Sequence, residues 1–124
     1  MAYDLTIHLE NRPGALAEVG EALGSAGVNV EGVVALASDS GSLGHILVEQ
    51  AGPAEAALSE AGQTVSSVQE VLVLAVEDEP GVLGRVCRQA ADAGINLSLT
   101  YLATDTRLVL AADDLAGLRQ ALNN

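Results

Sequence analysis

Two stretches of this chain carry residues able to hold a small charged molecule, and they read alike. Asn11-Arg12-Pro13-Gly14-Ala15-Leu16 matches Asp78-Glu79-Pro80-Gly81-Val82-Leu83 at an offset of 67 residues. A Pro-Gly step that leads into an apolar helical period starts a helix. The first turn of a helix has N–H groups with no partner inside the helix and a partial positive charge, so a carboxylate can settle there. Gly14 and Gly81 remove the Cβ that would hold a ligand away. The same offset matches Gly27-Val28-Asn29 with Gly94-Ile95-Asn96. An Asn amide donates and accepts, so Asn29 and Asn96 can answer both an ammonium and a carboxylate. Asp78 and Glu79 suit an α-ammonium, whereas Arg12 at the matching place suits a second carboxylate. Each position also has a purely structural reading: Pro-Gly often begins a helix and Gly-x-Asn often ends one.

The other reactive side chains point to less. His8 and His45 fall on two strands that would be neighbours, and near Glu10 or Glu49 such a pair can hold a metal. Ala75 stands where the first copy has His8, however, and two imidazoles on a strand face are far more often polar surface; no metal site is expected. Cys87 matches Gly20, beside the apolar stripe of a helix, and reads as a small buried apolar residue. A nucleophilic cysteine needs a nearby base, and the second copy contains no His. The many carboxylates lie on exposed helix faces or turns, so no catalytic residue is expected.

Each copy needs a strand, a helix and a second strand to position these groups. Tyr3 to Glu10 alternates, with Leu5, Ile7 and Leu9 to one side, which is a half-buried strand. Pro13 suits the first turn of a helix. Leu16, Val19, Leu23 and Ala26 then recur at helical spacing up to Gly27, a left-handed C-terminal cap. Strands are expected over Val28–Leu36 and Leu43–Glu49 around a Ser38-Asp39-Ser40-Gly41 turn, followed by a helix over Pro53–Ala61 and a strand over Gln63–Ser67. The second copy reads as strand Glu70–Val76, helix Gly81–Ala93, strand Ile95–Ala103, a turn at Thr104–Thr106, strand Arg107–Ala111 and a helix capped by Asp113 or Asp114. It has no closing strand of its own. Glu18 and Glu21 match Arg85 and Arg88, so opposite charges hold equivalent helix positions.

Composition narrows the function. The chain has 124 residues and a net charge of −12, with five Arg and no Lys. So acidic a surface repels phosphate backbones, and no nucleic-acid partner is expected. Trp and Phe are absent, so the core is Leu, Val, Ile and Ala. One cysteine excludes an intrachain disulfide. With no signal-like N-terminus and a longest apolar run of Val71 to Val76, no membrane partner is expected and a cytoplasmic location is. That run is apolar on both alternations and so calls for cover on both faces, which a homodimer would supply.

A β-α-β-β-α-β order with a Pro-Gly-x-Leu helix start and a Gly-Val/Ile-Asn corner resembles the ACT domain, a small regulatory module of amino-acid metabolism also found in free-standing tandem pairs. The resemblance covers nearly the whole chain as two copies, residues 1–68 and 69–124. It implies an α+β fold of two ferredoxin-like ACT-type repeats side by side, the second without its last strand. It also implies that an amino acid or similar small carboxylate binds between paired modules, where the first loop of one faces the second-strand start of its neighbour. Carried onto this chain, the ligand-lining residues are Asn11, Arg12, Pro13, Gly14, Ala15, Leu16, Val28, Asn29, Asp78, Glu79, Pro80, Gly81, Val82, Leu83, Ile95 and Asn96, with no cofactor. Asp78-Glu79 against Asn11-Arg12 implies two inequivalent sites. The expected function is a non-catalytic amino-acid sensor. The alternatives are a regulatory subunit docking on an amino-acid biosynthetic enzyme and, further off, a small ferredoxin-like enzyme.

Overall fold

A computed structural model describes residues 1–39 and 41–123. Its elements run β1 (Ala2–Leu9), α1 (Ala15–Ser25), β2 (Gly32–Leu36), β3 (Ser42–Val48), α2 (Ala51–Glu60), β4 (Thr64–Ala75), α3 (Val82–Asp92), β5 (Leu97–Ala103), β6 (Arg107–Ala112) and α4 (Leu115–Ala121). The fold is α+β. The chain divides into two compact units, Met1–Glu70 and Val71–Asn124. The expected turn at Ser38–Gly41 includes Ser40, which lies outside the described residues.

In the first unit β3 pairs antiparallel with β1 and with β2. Leu5 faces Ile46, Ile7 faces Gly44 and Leu9 faces Ser42, all on the side that α1 and α2 cover. Their apolar side chains join Val19, Leu23, Val48, Ala54 and Leu58 in one core. The narrow Gly44 fits this face, because a Cβ there would come within 3.1 Å of both Ile7 and Leu9. The second unit builds its own core from Leu72, Val82, Val86, Ala90, Leu108, Leu110, Leu118 and Leu122. Its strand β6 pairs antiparallel with β4 and β5.

Helix ends follow local rules. Val28 N–H donates to Leu23 O and Gly27 N–H to Gly24 O, with Gly27 at φ 72°. This is the Schellman pattern, in which a left-handed glycine turns the chain so that two orphan carbonyls are met. The same pair of bonds closes α2 at Gly62 and α3 at Gly94. It also shortens β2: the Val28 N–H is engaged in the cap, so the strand starts at Gly32 rather than Val28.

One expectation changes. Strands expected over Gln63–Ser67 and Glu70–Val76 are one continuous strand of 12 residues. No Gly or Pro interrupts Ser66-Ser67-Val68-Gln69-Glu70, so nothing stops the extended chain. Within that strand Val71 and Leu72 are each at most 2 % exposed, whereas Val73, Leu74 and Val76 are half-buried and Ala75 is exposed. After α4 no further strand occurs among the described residues.

Candidate functional site

Pro13 and Gly14 form a tight turn ahead of α1 rather than its first turn. Ala15 N–H donates to Arg12 O at 3.3 Å, and Gly14, the N-cap, has φ 90° and ψ −15°. Proline followed by a left-handed residue is the pattern of a type II turn, whose third position favours glycine. Gly81 repeats the geometry before α3 at φ 94° and ψ −11°. The turn throws the chain into the helix with no side-chain cap in either case. The N–H groups of Leu16 and Ala17, and of Leu83 and Gly84, are therefore left to solvent or a ligand.

Beside each helix start lies a recess. In the first unit it measures ≈ 200 Å³ and brings Asn11, Arg12, Ala15 and Leu16 against Leu36 and Ser42. In the second it measures ≈ 180 Å³ and brings Asp78, Glu79, Val82 and Leu83 against Leu102 and Thr106. The four loop and helix residues match at the 67-residue offset. Ser42 and Thr106 match by strand register instead: Leu9 faces Ser42 across β1–β3, and Val76, its counterpart, donates its N–H to Thr106 O at 3.1 Å. The shorter β5–β6 hairpin shifts the numbering between the two.

Sequence reasoning singles out neither hydroxyl residue, and both are unusual. Ser42 is 5 % exposed and its Oγ has no hydrogen-bond partner among the described residues. A buried hydroxyl left unpaired costs about 1–3 kcal/mol. Thr106 has φ 52° and follows Asp105 at φ 60°, the two central positions of a hairpin turn. Left-handed backbone is strained for a β-branched residue. Arg107 steadies the turn, donating from Nε to Thr104 O at 2.8 Å and from Nη2 to Thr104 Oγ1 at 2.9 Å.

The charged loop residues pair with the helix they precede. Arg12 donates to Glu10 at 2.8 Å and reaches Glu18 at 2.5 Å. In the second unit Glu79 lies 3.8 Å from Arg85. Position 79 matches 12 and position 85 matches 18, so one loop-to-helix ion pair recurs with its charges exchanged. Hydrogen bonds to Glu10 and Glu18, with the attraction of Glu18, raise the Arg12 guanidinium further above its ordinary range. The opposed charges on α1 and α3 are thus explained in part by pairing inside each unit.

The remaining expected residues lie elsewhere. Val28 and Asn29 line a separate recess with Glu31, Glu49, Gln50 and Pro53. They sit beyond the C-terminus of α1, about 16 Å from its start at the 1.5 Å rise per residue of an 11-residue helix. Asn96 is exposed and Ile95 half-buried beyond the C-terminus of α3. No single unit brings Asn11–Leu16 together with Val28–Asn29, or Asp78–Leu83 together with Ile95–Asn96.

His8 and His45 share the sheet face opposite the helices of the first unit and line a cavity of ≈ 360 Å³ with Val34, Leu36, Ser38, Gly41 and Leu43. The partner of His45 is Asp4, not Glu10 or Glu49. Its Nδ1 lies 3.0 Å from Asp4 Oδ2 and 3.2 Å from Thr6 Oγ1, and Asp4 is fully buried. No group of three or more His, Cys, Asp or Glu placed to hold a metal occurs among the described residues. Cys87 is half-buried on α3. No described helix is long and apolar enough to cross a membrane.

Comparison with known proteins bears on the whole arrangement. Similar folds occur in a protein from Bacteroides thetaiotaomicron (22% identity, TM-score 0.80, covering 98% of this chain and 85% of that one). They also occur in the regulatory subunit of aspartate kinase from Thermus thermophilus (18% identity, TM-score 0.67, 97% and 91%). The regulatory subunit from Thermus flavus is likewise similar (19% identity, TM-score 0.66, 98% and 92%). No curated protein sequence matches the chain. The model of the ACT domain family matches residues 3–63, from the first strand to the close of α2. Those residues make an ACT domain.

Proposed function

We propose that this protein is a non-catalytic regulatory sensor with two ACT-like repeats, each taking a free amino acid at the start of its first helix. The observation that carries the reading is the recurrence of one recess in both units, walled by matching loop, helix and strand positions. Packing alone does not require it. Leu16 and Leu83, equivalent residues on the two rims, are 49 % and 53 % exposed. The ligand's carboxylate meets the uncapped N–H groups of Leu16 and Ala17, or of Leu83 and Gly84. Its ammonium meets Asn11, or Asp78 in the second unit. Asn29 and Asn96 do not reach such a ligand within their own repeat, because each stands at the far end of its own helix.

A thermal-shift panel of the twenty common amino acids on the full chain tests the proposal. At 100-fold saturation binding stabilises by about 2.7 kcal/mol, several degrees in a protein of this size. A shift with at least one amino acid is expected. No shift with any of them overturns the sensor reading in favour of a docking subunit. The similar folds among aspartate kinase regulatory subunits make that the next reading.

A further inference from the structure

We propose that the recess of the first unit selects a small amino acid whose side chain bears an uncharged hydrogen-bonding group, a hydroxyl or an amide, and that Ser42 is the residue that reads it. This rests on the amino-acid reading of the recess given above. Ser42 Oγ is the buried side-chain polar atom without a partner among the described residues, and Ser42 lines the same recess as the uncapped start of α1. Buried hydroxyls are almost always paired, so an orphan on a residue of a cavity wall marks a place where another molecule supplies the bond.

Size and charge limit that molecule. Ala15, Ala35 and Ala37 wall the recess, whose volume is ≈ 200 Å³. Val82 and Leu102, which match Ala15 and Ala35, stand in the second unit's recess. The narrower residues leave room in the first unit for a short polar side chain beside Ser42. Arg12 cannot favour an acidic side chain, because Glu10 and Glu18 already meet its guanidinium. A basic side chain beside Ser42 would compete with Arg12 for Glu10, which lines the recess and already accepts from Arg12 at 2.8 Å. A neutral donor–acceptor group meets the hydroxyl at no such cost.

Titration calorimetry of the full chain with serine, threonine, asparagine and glutamine, and with alanine, valine, aspartate and lysine as controls, tests this together with the Ser42→Ala variant. At least one of the first four should bind the unaltered chain more tightly than every control. Ser42→Ala should weaken that binding about 10-fold, the loss expected for one hydrogen bond, and leave the ligand-free melting temperature unchanged or higher. Equal affinity in the two proteins overturns the role of Ser42, and a lower ligand-free melting temperature assigns the hydroxyl to a structural water instead. Tightest binding of a control overturns the selectivity while leaving the sensor reading intact. Binding by none of the twenty amino acids overturns both.

Discussion

Gly14 and Gly81 sit at φ 90° and φ 94°, where a Cβ is penalised whatever the space around it. A Cβ on Gly81 would meet nothing within 4 Å, and one on Gly14 would meet only the end of the Arg12 side chain, at 3.6 Å. The cost of a substitution is therefore backbone strain, not a clash. Gly81→Ala should lower the unfolding free energy by about 1–2 kcal/mol, the penalty of left-handed backbone for an L-residue. Thr106 is the opposite case: a β-branched residue already holds φ 52°. Thr106→Gly should raise stability by about 1 kcal/mol, strain relieved less the entropy that glycine gains in the unfolded chain. Urea midpoints for the two variants, read at constant slope, check the opposite signs. Loss of stability in Thr106→Gly would show that its side chain contributes contacts that outweigh the strain.

Among the elements, β1 carries two kinds of work on its two faces. Leu5, Ile7 and Leu9 fill the core under the helices, while Asp4 and Thr6 face the other way and hold His45. Asp4 is fully buried and the His45 side chain is 22 % exposed. Removing one partner of a buried hydrogen bond leaves the other unsatisfied, and that costs about 1–3 kcal/mol. Asp4→Ala should lower stability by about 2 kcal/mol, because His45 retains some water. Chemical denaturation checks the figure, and a change below half of it would mean that the pair is replaceable by solvent. The exchanged ion pairs Arg12–Glu18 and Glu79–Arg85 are different in kind. They are exposed and screened, so they fix the loop on its helix more than they hold the unit together.

The molecule as a whole carries a net charge of −12 over 124 residues. Like charges at that density repel one another in the folded state more than in the expanded chain. Added salt shortens the Debye length from about 30 Å at 0.01 M to about 10 Å at 0.1 M. Stability should therefore rise with sodium chloride over that range, seen as a melting temperature several degrees higher. A fall would mean that the surface ion pairs outweigh the general repulsion. The two cores, one under α1 and α2 and one under α3 and α4, are both aliphatic, as the absence of Trp and Phe requires.

What the sequence determined unaided is what a few neighbouring residues decide. The Pro-Gly turns, the glycine caps at Gly27, Gly62 and Gly94, the order of elements apart from the two expected strands that merge in β4, and the core stripe Leu5, Ile7 and Leu9 all follow from local backbone preference and hydrophobic period. So does the loop half of the candidate recess, Asn11, Arg12, Ala15 and Leu16 with their counterparts Asp78, Glu79, Val82 and Leu83; Pro13, Gly14, Pro80 and Gly81 shape the turn without lining it. Its strand half was not legible. Thr106 follows Ser42 by 64 residues rather than 67, so the offset that reveals the repeat pairs Ser42 with Val109 and hides the match. Only cross-strand register, set by hairpins of unequal length, brings Ser42 opposite Leu9 and Thr106 opposite Val76. The partnership of Asp4 with His45, 41 residues apart, was out of reach for the same reason. Short-range sterics are written in adjacent residues, whereas which side chains meet across a sheet depends on how the whole sheet pairs.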